Sequence, residues 1–402
     1  MTNSNISTQP LRGFRDFLPQ EVQKRQWLIN KIRKVFEKWG YEPLETPTLE
    51  PLEIFEGQIG EEEKLFFKFE DAGRRKVALR YDQTVPACRV MGEYKGKISL
   101  PFKRYQIQPA FRAEKPQKGR YREFLQCDAD IFGVKSPLAD AEVIALSLDI
   151  YREIGFKKAK VLVNNRELLK GIPYEAIVAI DKLGKIGEKG VIEYMGSKGI
   201  TKEKAESYLS FVKNLKPDET IEMIFDYLAG CGFDKSWYQF DPTIARSFAY
   251  STGSIWEVVI PGFKAGSVLG GERYDNLTRD ISGYDLPATG FGLGFDRTLE
   301  AAEEFGLLPD IRTSTIVLVT VFSSELLLAS LAIAGKLRDK GVNTDIYPDP
   351  NDKLDKQLKY ADRKNIPYAI IIGPDEAKEG KFVVKNMATG AQEKVKEWVP
   401  KM

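Results

Sequence analysis

The stretch from Phe111 to Asp130, FRAEKPQKGRYREFLQCDAD, carries side chains well suited to chemistry. It has two strand-like arms around a turn that contains glycine and proline, and Lys115, Lys118 and Arg120 make that turn basic. Side chains alternate between the two faces of a strand. One face of the second arm therefore carries Arg122, Phe124, Gln126, Asp128 and Asp130. Such a face is poor core material. It fits a solvated hairpin or a ligand face, with cations for phosphate, a ring for a planar base and carboxylates for an amine.

The absence of histidine restricts the chemistry further, because none of the 402 residues is histidine. Imidazole bases, histidine metal ligands and histidine pH switches are therefore excluded. Cys88, Cys127 and Cys231 are far apart in sequence, so they predict neither a disulfide framework nor a C-x-x-C metal site. Carboxylates, cations, hydroxyls and backbone groups remain, and these favour reactions driven by positioning and electrostatics.

Length and composition are those of an ordinary soluble protein of two or three domains, with 43% hydrophobic and 29% charged residues. The net charge of +2 excludes a globally basic nucleic-acid coat but allows a local basic patch. The N-terminus has no apolar signal core, and no apolar run is long enough to span a membrane. We therefore expect a cytoplasmic protein with no membrane partner.

Periodicity predicts the elements that must position these side chains. Apolar spacing predicts helices over 21–40 and 136–156, a hairpin over 64–82, and a strand or glycine-rich turn feeding a helix over 289–306. Residues 164–235 are rich in charge and helical patterns, which indicates an inserted helical module. After a linker at 307–314, alternating strands and helices predict a separate domain on a mainly parallel sheet.

Seven stretches of the chain occur in an order that has a known counterpart. They are LRGFRDFLP, LETPTLEP, ALRYDQTVP, the Phe111–Asp130 stretch, GSVLGGERYDNL, GFGLGFDRTLEA and KQLKYADRKNIPYAIIIG. Together they resemble the histidyl-tRNA synthetases, a family of class II aminoacyl-tRNA synthetases, over nearly the whole chain. The resemblance implies an α+β catalytic core on an antiparallel sheet (the class II synthetase fold) at 1–314, with the helical insertion at 164–235. It also implies an α/β anticodon-binding domain at 315–402.

The resemblance assigns an ATP site to the central stretch and to the motif around Arg297. Arg112 matches an arginine that contacts the α-phosphate and the amino-acid carboxylate, and its planar fork suits both. Arg297 matches the arginine on the γ-phosphate. The remaining matches are Glu114 for the adenine amino group, Phe124 for stacking on adenine, and Arg120 and Arg122 near the outer phosphates. A solvated turn cation is the simpler reading of Arg120 taken alone.

The resemblance also implies an amino-acid site. Asp82, Thr84 and Gln126 match the residues that hold the substrate ammonium, although Asp82 also suits a helix N-cap. Asp130 matches the carboxylate that faces the substrate side chain. Arg246 matches a catalytic arginine near the α-phosphate, which takes over the work of a metal, so no protein-bound metal is expected. Tyr250, Ser251 and Tyr274 complete the predicted pocket.

Several positions on the amino-acid side depart from the family motifs. Ala249 and Ser251 stand where the motif has aspartate and tyrosine, and Leu269 and Glu272 stand where it has small residues. The lost tyrosine is a partner of the substrate imidazole, and losing such a hydrogen bond costs about 1–3 kcal/mol. Two interpretations stay open: a histidyl enzyme with a rearranged pocket, or the same scaffold retuned to another amino acid.

We expect ATP-dependent charging of tRNA through an aminoacyl-adenylate, with histidine and tRNA-His as substrates and Mg²⁺ accompanying ATP. The resemblance also implies a homodimer with the 44–51 stretch at its interface. In the C-terminal domain, the basic residues predicted to contact RNA are Lys353, Lys356, Lys359, Arg363 and Lys364. The alternatives are a non-catalytic amino-acid-sensing paralogue and a ligase that charges something other than ordinary tRNA.

Overall fold

A computed structural model describes residues 7–58, 60–116, 119–246, 250–310 and 313–400. The chain forms two compact units. One contains Met1–Asp16 and Trp27–Leu307, and the other contains Phe17–Gln26 and Leu308–Met402. The first helix, α1 (Pro19–Lys38), contributes residues to both units.

The first unit contains eleven strands among its described residues. They are β1 Glu42–Pro43, β2 Leu49–Pro51, β3 Lys68–Glu70, β4 Lys76–Leu79, β5 Phe102–Phe111, β6 Glu123–Phe132, β7 Lys160–Asn165, β8 Tyr238–Phe240, β9 Ser254–Val259, β10 Leu269–Arg273 and β11 Ala288–Gly294. Its further helices are α2 Thr84–Glu93, α3 Leu138–Ile154, α4 Tyr174–Ile180, α5 Leu183–Ser197, α6 Lys202–Lys213, α7 Glu219–Gly230, α8 Leu277–Ser282 and α9 Phe295–Glu304.

Eight of these strands form one sheet in the order β1-β5-β6-β11-β10-β9-β7-β8. The five junctions from β5 to β7 are all antiparallel, whereas β1 on β5 and β8 on β7 are parallel pairs at the edges. The predicted antiparallel core is therefore confirmed. A separate three-stranded sheet, β2-β4-β3, contains the predicted hairpin over 64–82.

The Phe111–Asp130 stretch belongs to the β5–β6 hairpin of the large sheet, whose register runs from Phe102 opposite Phe132 to Phe111 opposite Glu123. The first strand therefore ends where the Phe111–Asp130 stretch begins, and Arg112 lies beyond it. Arg122 likewise precedes β6, which corrects the expectation that it shares the strand face with Phe124. On β6, residues with opposite parity, such as Cys127 and Ala129, are fully buried.

The predicted helical module at 164–235 contains the helices α4 to α7. Helices α4, α5 and α6 share an apolar cluster that includes Ile177, Met195 and Leu209. Helix α7, by contrast, packs against α3 and β7 of the sheet unit. The three helices share this cluster with Leu169, Ile172 and Ala245.

The second unit has its own five-stranded sheet, in the order β13-β12-β14-β15-β16. Its elements are β12 Val317–Val319, α10 Leu327–Asp339, β13 Thr344–Ile346, α11 Leu354–Arg363, β14 Tyr368–Ile371, α12 Pro374–Glu379, β15 Phe382–Asn386 and β16 Gln392–Val395. β12 is parallel to β13 and to β14, whereas β14, β15 and β16 are antiparallel to one another. The predicted parallel sheet thus covers half of the strand pairs, because the final hairpin joins the same sheet.

Candidate active site

A cavity of about 300 Å³ opens on one face of the large sheet, and strand β11 forms its floor. Gly290, Gly292 and Gly294 alternate along β11, so they present backbone rather than side chains to this face. A Cβ on Gly290 would lie 1.9 Å from Oδ1 of Asp130, and one on Gly292 would lie 2.7 Å from Nε2 of Gln126. The glycines therefore make room for the polar side chains of β6 and for a ligand.

The structure brings eleven of the predicted site residues to this cavity. They are Asp82, Thr84, Arg112, Glu114, Arg120, Phe124, Gln126, Arg246, Tyr250, Tyr274 and Arg297. They come from the start of α2, the β5–β6 hairpin, the segment between β8 and β9, the end of β10, and α9. Residues that are far apart in sequence thus meet in one place.

One end of the cavity combines aromatic rings with guanidinium groups. The guanidinium carbon of Arg112 lies 4.2 Å from the ring centroid of Tyr81 and 5.2 Å from that of Phe124. Glu114 and Arg120 face each other across the hairpin turn, with Nη1 of Arg120 donating to Oε2 of Glu114 at 3.1 Å. Stacked Arg112 keeps its planar fork oriented, which suits bidentate binding of a phosphate or carboxylate.

Arg297 belongs to the first turn of α9, directly after the glycine strand. Its Nη1 donates to the carbonyl of Ser267 at 2.9 Å. Burial and the neighbouring Arg120 both lower the pKa of Arg297. An anion bound between Arg120 and Arg297 would relieve the repulsion between their charges. The N-terminus of the ten-residue helix α9 adds partial positive charge at the same place.

The opposite end of the cavity holds buried acceptors. Oδ1 of Asp82 accepts a hydrogen bond from the backbone N–H of Val85 at 3.0 Å, so the predicted helix-capping role is real. Its Oδ2 and the Oε1 of Gln126 are buried and have no hydrogen-bond partner within the part of the chain that the structure describes. Burial raises the pKa of Asp82 to about 6. With the hydroxyl of Thr84, these oxygens suit a cationic amine with three donors.

Arg246 lies between the two ends and is surrounded by carboxylates. Its Nη2 donates to Oε1 of Glu272 at 3.2 Å, and its Nη1 lies 3.9 Å from Oε1 of Glu257. Burial alone would lower the pKa of Arg246, but these two carboxylates outweigh it and raise that pKa. The backbone φ of Arg246 is +45°, and a Cβ on Gly270 would lie 1.8 Å from its Nη1. Gly270 therefore has to be glycine for this guanidinium to keep its position.

Three predicted residues do not reach the cavity wall. Arg122 donates instead to the backbone carbonyls of Glu114 and Arg12, so it holds the hairpin turn in place. Asp130 forms an ion pair with Arg104 and accepts a hydrogen bond from the hydroxyl of Tyr274. The hydroxyl of Ser251 donates to Glu272.

Two residues singled out by the sequence analysis, Lys118 and Ala249, lie outside the residues that the structure describes. In the second unit, Lys356 and Lys359 on the predicted RNA-contact helix pair with Asp352 and Asp355, at 2.8 and 2.7 Å. These exposed pairs are weak, so an RNA phosphate can compete for either lysine.

Two arginines beside the cavity were not predicted from the sequence. Arg15, far away in the chain, stacks 3.2 Å above the ring of Tyr121 and pairs with Asp296 at 2.9 Å. Arg104 is fully buried behind Asp130. Arg104 on β5 lies opposite Asp130 on β6. The sequence alone does not show this pairing, because the register depends on the length of the turn between the two strands.

Two searches of the described residues bear on cofactors and membranes. No group of three or more histidine, cysteine or carboxylate side chains there is arranged to hold a metal ion. No helix there is both long and apolar enough to cross a bilayer.

Comparison with known proteins gives a consistent result along the chain. A family model described as "Histidyl-tRNA synthetase" matches residues 13–186 and 190–298, and one described as "Anticodon binding domain" matches residues 316–397. The chain is 37% identical to a histidine–tRNA ligase from Cytophaga hutchinsonii, over 96% of both proteins. It is 38% identical to another from Rhodopirellula baltica, over 96% of this chain and 94% of that protein. A crystal structure of a histidyl-tRNA synthetase from Nostoc sp. PCC 7120 aligns with a TM-score of 0.82 at 28% identity, covering 97% of both chains.

Proposed function

Because this chain belongs to the histidyl-tRNA synthetase family, we propose that it joins histidine to tRNA-His at the expense of ATP. The observation that carries the proposal is the polarity of a single cavity. Arginines and an aromatic ring occupy one end, and the buried acceptors Asp82 and Gln126 occupy the other. A nucleotide and an amino acid placed accordingly would bring the amino-acid carboxylate and the α-phosphate together near Arg112 and Arg246.

The first step is formation of the adenylate. An oxygen of the amino-acid carboxylate attacks the α-phosphorus of ATP, and the bond to the pyrophosphate oxygen breaks. Both reacting groups are anionic, so the protein's task is to align them and to offset their charge. Arg112 is placed to contact both anions, and Arg246 to reach the α-phosphate after exchanging its contact with Glu272. No side-chain base is required, which agrees with a chain that lacks histidine.

The nucleotide would be held by the hairpin turn and by α9. Phe124 offers the ring for adenine, Glu114 offers an acceptor for its amino group, and Arg120 and Arg297 face the outer phosphates. Binding would require Arg120 to exchange its contact with Glu114 for phosphate. We propose that Mg²⁺ enters with ATP, since Mg²⁺ is commonly held by substrate phosphates with one or two carboxylates. Asp296, beside Arg297 in the cavity wall, is the carboxylate that we propose for this role.

In the second step the aminoacyl group would move to the 3′ end of the tRNA, with AMP as the leaving group. We assign residues 1–314 to catalysis and 315–402 to anticodon binding, with the helices of the 164–235 region as an insertion. The exposed cations of α11 and its flanks would contact RNA phosphates, which makes binding salt-dependent. A cytoplasmic location follows from this role.

We also propose a homodimer with the 44–51 stretch at its interface. Leu49 on β2 and Phe69 on β3 are exposed apolar side chains of the same three-stranded sheet. Light scattering coupled to gel filtration tests this directly. A dimer that dissociates in the Leu49→Asp variant is expected, and a wild-type monomer would contradict the proposal.

The proposed activity is tested by amino-acid-dependent exchange of pyrophosphate into ATP, measured with each standard amino acid. Exchange with histidine is expected, together with charging of a tRNA-His transcript. Arg246→Ala should greatly reduce exchange without changing the fold, and Arg279→Ala, on the exposed surface, is the matched control. If the folded protein catalyses exchange with none of the amino acids, the proposal is contradicted. Exchange with an amino acid other than histidine would show that the pocket is retuned.

A further inference from the structure

Two carboxylates lie on the two strands that flank the glycine strand β11. Glu272 on β10 is paired with Gly290 on β11, and Gly290 is paired with Asp130 on β6. Residues opposite each other on neighbouring strands point to the same face of the sheet. Because neighbouring strands are about 4.8 Å apart, the two Cα atoms are about 10 Å apart. The missing side chain at Gly290 makes room for the carboxylate of Asp130, because a Cβ there would lie 1.9 Å from its Oδ1.

The two carboxylates differ in what they can offer a ligand. Asp130 is 1% exposed and is held by buried Arg104 and by the hydroxyl of Tyr274. Glu272 lines the cavity, although only 5% of it is exposed. It accepts one hydrogen bond from Arg246 at Oε1 and one from Ser251 at Oε2. A carboxylate can accept about four hydrogen bonds, so Glu272 can accept more from a ligand.

Ser251 and Glu272 belong together. They are 21 positions apart in sequence, both depart from the family motifs, and in the structure they are hydrogen-bonded to each other. The small serine occupies the position of the tyrosine that would contact the substrate ring. The cavity wall therefore carries a carboxylate held by this serine, next to the position that has lost the tyrosine.

We propose that Glu272, oriented by Ser251, determines amino-acid specificity by accepting a hydrogen bond from a side-chain N–H of the substrate. The inference rests on the proposed function and names the substrate class of the same site: amino acids whose side chains donate N–H hydrogen bonds. Such a donor gains a charged acceptor at Glu272. An apolar side chain would cover that carboxylate without giving it a partner, and sites of this kind reject such analogues strongly.

The competing explanation is that Glu272 serves only to hold Arg246. Glu257 provides the matched control, because it also approaches Arg246, at 3.9 Å, from outside the cavity wall. A change at either glutamate disturbs Arg246, but only a change at Glu272 alters an acceptor that faces the amino acid.

The test compares pyrophosphate exchange with histidine and with its two N-methyl derivatives, each blocked at one ring nitrogen. Wild-type protein is expected to discriminate by about tenfold or more in kcat/KM against the derivative whose methyl group faces Glu272. Glu272→Ala should remove most of this discrimination and raise the KM for histidine about tenfold, without raising the KM for ATP. Glu272→Gln, which keeps an acceptor oxygen, should retain part of it, and Ser251→Ala should weaken it several-fold. Glu257→Gln should lower kcat and leave the discrimination unchanged.

Several results would overturn the inference. If Glu272→Ala behaves like Glu257→Gln, with a lower kcat and unchanged discrimination, Glu272 only positions Arg246. If wild-type protein activates only an amino acid without a side-chain N–H, adenylate chemistry stands and the inference fails. Titration calorimetry with histidine gives a readout independent of catalysis. A Kd raised about tenfold in Glu272→Ala supports the inference even if exchange is absent and the proposed function has failed, whereas an unchanged Kd overturns it.

Discussion

Replacing Asp82 by asparagine should make the protein more stable and less active. Asp82 is 4% exposed, and burial raises the pKa of its carboxyl to about 6. Unfolded aspartate has a pKa near 3.9. Between these two pKa values, the Asp82 carboxyl is therefore protonated in the folded protein and ionised in the unfolded chain. Stability associated with Asp82 is fully present below pH 4 and is lost as the pH rises through 6.

The magnitude follows from the size of this shift. A shift of about two pKa units corresponds to about 3 kcal/mol, since one unit is worth 1.36 kcal/mol. About half of that develops between pH 5 and pH 8. Asparagine keeps an oxygen that can accept from the N–H of Val85, so the helix cap is preserved. Asp82→Asn should therefore exceed wild type in stability by up to about 3 kcal/mol at pH 8, and by less at pH 5.

The assay is urea unfolding at several pH values, with the midpoint and slope compared between variants. Asp285→Asn is the matched control, because the side chain of Asp285 is 68% exposed and its pair with Arg279 is long, at 3.8 Å. That control should track wild type at every pH. In pyrophosphate exchange, Asp82→Asn should raise the KM for the amino acid about tenfold to a hundredfold, since a charge-assisted hydrogen bond is lost.

Two results would refute this reasoning. If Asp82→Asn is less stable than wild type at pH 8, burial of the charge does not dominate the energetics of Asp82. If the gap between the two proteins does not widen from pH 5 to pH 8, the carboxyl does not titrate near pH 6. A more stable variant with an unchanged KM would separate the two claims: Asp82 would be a strained cap and not the ammonium site.

Three further predictions concern residues that hold the site in place and the proposed RNA contact. Arg104→Met should cost about 3–5 kcal/mol in urea unfolding, because it leaves Asp130 charged and buried, and adding Asp130→Asn should recover part of that loss; a double variant no more stable than the single one would contradict this. Gly270→Ala should lower exchange activity in protein with a normal unfolding midpoint, because its Cβ displaces the flexible end of Arg246. Gly271→Ala, at the next position, should instead lower the unfolding midpoint, since its Cβ would lie 2.2 Å from the buried Trp256 ring. If Gly270→Ala lowers the midpoint and Gly271→Ala lowers only activity, the contacts are misassigned. Binding of a tRNA-His transcript should weaken steeply with salt, and Lys356→Ala should reduce the slope of log Kd against log salt by about 1, whereas an unchanged slope would remove Lys356 from the RNA contact.

The sequence predicts much of the fold because most helices and strands are indicated by patterns of neighbouring residues. The helical spacing before Gly40, the turn at Asp71–Gly73 and the alternation along β6 each depend on a few neighbouring residues. Mixed pairing in the second unit was not predictable in the same way. Whether the last hairpin joins an existing sheet depends on contacts between distant strands, and local periodicity contains no information about them.

The same distinction explains which site residues could be predicted. Arg112, Phe124 and Gln126 are close together in sequence, so their proximity in the cavity follows from one hairpin. Arg122 was misplaced because side-chain direction outside a strand is set by the partners it finds, here two backbone carbonyls. Arg15 and Glu257 contact the lining residues Asp296 and Arg246 through tertiary packing, which local periodicity does not predict.

The departures at Ser251 and Glu272 gain meaning only when the sheet registers are known. Read separately, a lost tyrosine and an added glutamate look like damage to a histidine pocket. In the structure the two side chains touch, and Glu272 is aligned with Asp130 across a single glycine. A buried carboxylate next to Arg246, the proposed catalytic arginine, would weaken the positive field that ATP needs, so Glu272 would be costly without a function of its own. The cost to ATP binding therefore favours a site in which Glu272 contributes to recognition of the amino acid.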